Sequence, residues 1–139
     1  MREIKFRGRR KNSSEWVYGA FLAIPKLCSY IYDVQPDGQA TRYLVDADTV
    51  GQFTGLLDTA QKEIYEGDIV VVKEDGKESR HIVRYMDDED YPAFDLVPES
   101  MSWCGEFNGL SYCMIHMDAA IYVIGNVHDN PELLNEVRS

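Results

Sequence analysis

The chain has 139 residues, and 14 Lys and Arg against 24 Asp and Glu leave a formal net charge of −10. This length suits one domain over 1–139, with room for two small subdomains at about 1–60 and 61–139, and it excludes a large multi-domain enzyme. A hydrophobic content of 45% excludes a disordered chain, and without an apolar run of about 18 residues no helix is expected to span a membrane.

The opening Met1-Arg2-Glu3-Ile4-Lys5-Phe6-Arg7 is charged where a signal peptide needs an apolar core, so a cytoplasmic location is expected. Its alternation sets Ile4 and Phe6 on one side of a strand and Lys5 and Arg7 on the other. Gly8 to Ser14 reads as a polar turn and Trp16 to Leu22 as the returning strand. Tyr30–Val34 and Thr41–Val45 flank Pro36-Asp37-Gly38 and predict a second hairpin. Ile64–Lys73 and Ser79–Tyr85 flank Glu74-Asp75-Gly76-Lys77, and Asp-Gly favours a type I′ turn because both of its central residues take positive φ.

Tyr91–Pro98 reads as an edge strand because its two prolines cannot donate to a ladder. Residues 99–118, punctuated by Gly105 and Gly109, fit a short helix or a crossover as well as a strand. Ala120–Ile124 is a further strand, with Gly125 as its breaker. Asn130 and Pro131 then suit the start of a short C-terminal helix whose Leu133, Leu134 and Val137 cover the core. The fold class is therefore all-β and mostly antiparallel: an SH3-like barrel or a β-sandwich of successive hairpins, closed by that helix.

The charge is uneven, because residues 1–11 hold six basic side chains against Glu3. The remainder is strongly acidic and would repel a phosphate backbone, so nucleic-acid contact is confined to the basic hairpin at Arg7, Arg9, Arg10 and Lys11. Trp16, Tyr18, Tyr30, Tyr32, Tyr43, Phe53 and Tyr65 could stack bases, but on strands such residues are expected to fill the core and form cross-strand pairs.

Chemistry has few footholds in the sequence. Cys28, Cys104 and Cys113 read as reduced thiols. Asp46-x-Asp48 fails as a calcium loop, because Val50 and Leu57 occupy later ligand positions; one of the two aspartates is expected to cap a turn. Cys113-x-x-His116 lacks the paired clusters of structural zinc, and a Cys-His nucleophile would need an orienting group supplied by the fold. Asp87-Asp88-Glu89-Asp90 is read as a solvated loop rather than a cation site. The glycines form no phosphate cradle. No cofactor, metal or catalytic residue is assigned.

Four blocks resemble the YopX-like family of phage and prophage proteins: the opening seven residues, Trp16-Val17-Tyr18-Gly19, the run Thr49–Leu56 with Asp58 and Lys62–Val70, and Val123–Leu134. The chain departs from that pattern at Gly8-Arg9-Arg10 and at Thr59-Ala60-Gln61, where a Lys-Asn-Gly turn is usual. The resemblance implies a small, mostly β, phage-associated cytoplasmic protein, and it supplies no catalytic residues. Glu66-Gly67-Asp68-Ile69-Val70 also resembles the chain entering a strand of an SH3-like barrel, with Asp68 accepting bonds from the following amides.

These readings point to a binding or assembly module without enzymatic activity, acting on another protein or on copies of itself. The alternative is a nucleic-acid-binding accessory protein using the basic hairpin.

Overall fold

In a computed structural model, residues 3–86, 93–97, 108–115 and 118–136 are described. The chain divides into two compact units, Met1–Gly55 and Leu56–Ser139.

The first unit runs β1 (Phe6–Arg9), β2 (Trp16–Ile24), β3 (Cys28–Val34), β4 (Ala40–Val45), a 3-10 helix (Ala47–Thr49) and β5 (Gly51–Leu57), which carries the chain into the second unit. Neighbouring strands follow the order β4-β3-β2-β1-β5, and β1–β2, β1–β5, β2–β3 and β3–β4 all pair antiparallel. The tip beyond β1 folds back on β4: Arg10 bridges Val45, and the Lys11 amide donates to the Leu44 carbonyl. The described residues form mostly antiparallel β-structure in two sheets with one short α-helix, the all-β class that the sequence led us to expect. The segment Glu66–Val70, which resembled the chain entering a strand of an SH3-like barrel, lies in the second unit and leads into its four-stranded sheet.

Val17, Ile31 and Val45 form the core of this unit, with Phe6, Phe21, Tyr43 and Val50 packed against them. Period-2 alternation explains the selection, because cross-strand partners share a face. Gly8 fits beneath Val45, whose methyl groups lie 3.2–3.3 Å from where a Cβ would stand. Gly19 has φ +153, and a Cβ there would run into the Tyr32 carbonyl. Ile4 lies before the first pair of β1 and is 69% exposed, not in the core.

The turns follow their chemistry. Gly38 takes φ 89 at the end of the Pro36-Asp37 turn, and its amide donates to the Gln35 carbonyl. Asp46 precedes the 3-10 helix, but its side chain makes no cap hydrogen bond. The turn is tied instead by the Thr49 hydroxyl donating to the Asp46 carbonyl, which corrects the expected aspartate cap.

The second unit contains β6 (Glu63–Tyr65), β7 (Asp68–Glu74), β8 (Lys77–Met86), β9 (Ala93–Val97), helix α1 (Gly109–Ile115), β10 (Ala119–Asn126) and a 3-10 helix (Pro131–Glu136). Its four-stranded sheet has the order β10-β7-β8-β9. The expected single strand Ile64–Lys73 is divided: Gly67, at φ 92, turns the chain between β6 and β7. Asp68, 1% exposed, accepts the amide of Tyr65, three residues back, and so holds that turn. Asp75 and Gly76 have φ 54 and 75, as the type I′ reading of the β7–β8 hairpin requires. β9 is an edge strand, as its prolines suggested, although Pro92 and Pro98 lie outside the described residues.

Two elements differ from expectation. β10 continues through Gly125 to Asn126, with a register shift between Val123 and Gly125. Asn130 does not cap the terminal helix with its side chain; Oδ1 accepts the Asn126 amide, packed where a Cβ on Gly125 would otherwise stand. The terminal helix is 3-10, with Leu133 half-buried, while the side chains of Leu134 and Val137 lie outside the described residues.

The core of this unit comprises Ile64, Val70, Val72, Val83, Leu96, Leu110, Tyr112, Cys113 and Ile121. Each aliphatic side chain fully buried there contributes about 1.5–3 kcal/mol of transfer free energy. The turn after β5 is fastened to β10 by two side chains. The Asp58 carboxylate, 3% exposed, accepts the amides of Ala60, Lys62 and Val123. Thr59 accepts the Ile121 amide through its hydroxyl and donates its own amide to the Ile121 carbonyl. In the turn between β5 and β6, Gln61 stands at φ 69, a left-handed conformation that costs a side-chain residue about 1–2 kcal/mol.

Candidate functional site

The cross-strand register of the first unit separates two faces. Leu22, Tyr30 and Leu44 lie opposite one another across β2, β3 and β4, as do Ala20, Tyr32 and Arg42. These residues share the face away from the core formed by Val17, Ile31 and Val45. Tyr18 is 45% exposed, Leu22 46%, Val34 59% and Leu44 41%, with Ile24 also exposed and Tyr30 and Tyr32 half-buried. The same alternation puts Arg9 and Arg42 on this face and no Asp or Glu among its strand positions. On a chain of net charge −10, this is an apolar, tyrosine-rich and locally cationic surface.

The residues singled out for nucleic acid are placed differently from one another. Arg7 is buried, 7% exposed, and its guanidinium lies 4.9 Å from the Trp16 ring centroid. Alternation set Lys5 and Arg7 on the side of β1 opposite Ile4 and Phe6; there the stacking contact with Trp16 of the returning strand buries Arg7. Arg9 is half-buried. Arg10 is exposed, but its guanidinium donates to Glu15 at 2.7 Å and lies over the Tyr43 ring. That hydrogen bond holds its pKa above the ordinary value. Lys11 is exposed beside it. The four do not form one open cationic patch.

The aromatic platform is similarly occupied. Cations lie over Trp16, Tyr30, Tyr43 and Phe53, with Arg42 4.6 Å from the Tyr30 centroid and Lys5 5.3 Å from that of Phe53. A ring face covered by a guanidinium is not available for a base to stack on. Phe53 and Tyr65 are buried as the core reading expected, whereas Tyr18, Tyr30 and Tyr32 belong to the outer face. The sequence did carry the signal: Tyr30 and Tyr32 share one parity in β3 and Ile31, fully buried, has the other.

In the second unit, Cys113 on α1 is 6% exposed, and burial, reinforced by the charge of Glu74, pushes its thiol up to about 12. A thiol held protonated is a weak nucleophile at neutral pH. His116, Cys104 and the Asp87–Asp90 run lie outside the described residues. Among the described residues, no group of three His, Cys, Asp or Glu side chains is placed to hold a metal ion. His81, 2% exposed, shares a 2.7 Å hydrogen bond with the Ser79 hydroxyl, and the Tyr112 hydroxyl donates to Glu74. These contacts satisfy polar groups inside the unit. No described helix is long and apolar enough to cross a membrane.

Residues 5–135 match the family described as YopX protein. The chain is also similar to the crystal structure of protein EF1440 from Enterococcus faecalis, at 25% identity and a TM-score of 0.59, covering 96% of this chain and 99% of that one. No curated protein matches.

Proposed function

The chain belongs to the YopX family, and for it we propose a binding role: a module that docks a partner protein on the outer face of β2–β3–β4 and carries out no chemistry itself. The chain's resemblance to the YopX-like family of phage and prophage proteins is the basis for setting this role in a phage-associated, cytoplasmic context. The observation that carries the reading is the outer face, where Tyr18, Leu22, Leu44 and Val34 are exposed together beside Arg42. Tyrosine and arginine with aliphatic neighbours make up the composition of interface hot spots.

The occupant is a protein surface presenting acidic among apolar side chains. The outer-face strand positions carry Arg9, Arg42 and the buried Arg7 and no Asp or Glu, which favours an acidic partner over a second copy facing the same surface. Aliphatic exposure and covered ring faces favour protein over nucleic acid.

Capture from lysate, with nuclease treatment, is compared between the wild type and the Leu22→Asp/Leu44→Asp variant. A captured protein that survives nuclease, is reduced about tenfold or more by the variant, and protects β2–β4 amides from exchange supports the reading. Capture indifferent to the variant refutes it. So does capture lost with nuclease, which supports nucleic acid, or a dimer in sedimentation velocity that the variant dissolves, which makes the occupant a second copy.

A further inference from the structure

Sheet edges carry unpaired backbone groups that attract other strands, and proteins commonly cover them. Among the described residues, the edges at β10, β9 and β6 are partly covered by side chains and turn amides of the chain itself. Along the outer edge of β10, Thr59 takes the amide and carbonyl of Ile121, and Asp58 takes the amide of Val123. Along that of β9, the Asn108 amide donates to the Phe94 carbonyl, and Asp95 accepts the amides of Leu96 and Gly109. In β6, Asp68 takes the Tyr65 amide.

β4 is different. It is the terminal strand of its sheet, and the first-hairpin tip pairs with it only at its end, where Lys11 donates to the Leu44 carbonyl and Arg10 bridges Val45. The Leu44 carbonyl points away from β3, so by period-2 alternation the amides and carbonyls of Ala40 and Arg42 point the same way. Among the described residues no strand or turn pairs with that stretch. Ala40, Thr41 and Arg42 are all exposed.

We propose that the open edge of β4 at Ala40–Arg42 is a strand-addition site for an extended segment of a partner protein with an acidic side chain opposite Arg42. This rests on the docking reading above and specifies its form. An added strand would form main-chain hydrogen bonds with Ala40 and Arg42, and alternate side chains would continue the outer face formed by Tyr30, Tyr32 and Leu44. A directly opposite carboxylate would meet a guanidinium held in place over Tyr30. Pairing of β4 with β4 of a second copy about a two-fold axis puts both Arg42 side chains on one face within diagonal reach, which is repulsive. The segment is therefore assigned to an acidic partner.

The test is fluorescence polarisation with four labelled probes: a heptapeptide alternating Glu or Asp with Val, Ile or Tyr; its Lys counterpart; the acidic peptide N-methylated at alternate amides; and a single-stranded oligothymidylate. The acidic peptide should bind about tenfold or more tighter than the basic one and lose about tenfold on N-methylation. Arg42→Glu should weaken it by a similar factor, as should Ala40→Pro, which removes an outward amide and leaves the ladder with β3 intact. The N-methylated probe tests strand addition without altering the protein's fold.

Acidic-peptide binding that ignores N-methylation and Ala40→Pro but is abolished by Leu22→Asp overturns strand addition and leaves the docking reading standing. Binding indifferent to all three changes, no saturable binding of the acidic peptide, or preference for the basic peptide overturns strand addition and counts against the proposed face as well. Preference for oligothymidylate overturns both in favour of nucleic acid.

Discussion

Replacing Asp58 tests the account of how the second unit closes the edge of β10. The carboxylate is 3% exposed and accepts three amides at 2.8–2.9 Å, two from its own turn and one from Val123. Hydrogen bonds to a charged group contribute about 1.5–3 kcal/mol each. Ala60 and Lys62 are exposed, so water replaces much of what they lose, and the Val123 amide carries the larger penalty. Asp58→Ala is therefore expected to cost about 3 kcal/mol. Asp58→Asn retains an oxygen for the turn but turns an NH₂ group toward the Val123 amide, and should cost about 2 kcal/mol. With an m-value near 2 kcal/mol/M, the alanine variant lowers the urea midpoint by about 1.5 M. Amide exchange measured by NMR should accelerate at Val123 before it does at Val71, which lies within the β7–β8 ladder. A loss below about 1 kcal/mol for alanine, or an asparagine variant as stable as the wild type, refutes the reasoning.

Further outcomes follow from backbone geometry and from the buried thiol. Gly19→Ala should destabilise by more than about 2 kcal/mol because its Cβ meets the Tyr32 carbonyl, whereas Gly76→Ala, at φ +75 in open space, should cost only about 1 kcal/mol; thermal unfolding of the pair checks the order. Gln61→Gly relieves the left-handed side-chain residue at φ 69 and should stabilise by up to about 1 kcal/mol in urea, net of the glycine's added unfolded-state entropy. Cys113 has its thiol raised from 9.0 to about 12 by burial. Its contribution is thus complete below about pH 9 and is lost as pH rises toward 12, where the unfolded chain ionises first. Relative to Cys113→Ala, the wild type should lose about 2 kcal/mol of stability between pH 8 and 10.5. A pH-independent difference between the two proteins sinks that assignment.

Much of the fold was legible because hairpin chemistry is local. Asp75-Gly76 and Pro36-Asp37-Gly38 announce their turns by the φ values they permit, and the structure contains both. What sequence could not reveal was decided by pairing partners distant in the chain. Nothing near Arg7 says that Trp16 will stack on it, and nothing near Asp58 announces Val123, 65 residues away. Gly67 was visible as a permitted bend, yet the apolar run around it favoured one long strand until Asp68 is seen holding the turn. The outer face lay between these cases: Tyr30-Ile31-Tyr32 gives the two faces by alternation, but which one is solvent depends on Val17 and Val45 closing over Ile31.

The docking claim is tested most directly by photocrosslinking in cells, with a benzophenone amino acid placed at exposed Leu22 or, as the control, at exposed Lys77 at the start of β8. The account predicts a discrete protein adduct from position 22, insensitive to nuclease and missing from position 77. Equal adducts from both positions, or an adduct at 22 made only with nucleic acid or with a second copy of the chain, would contradict it.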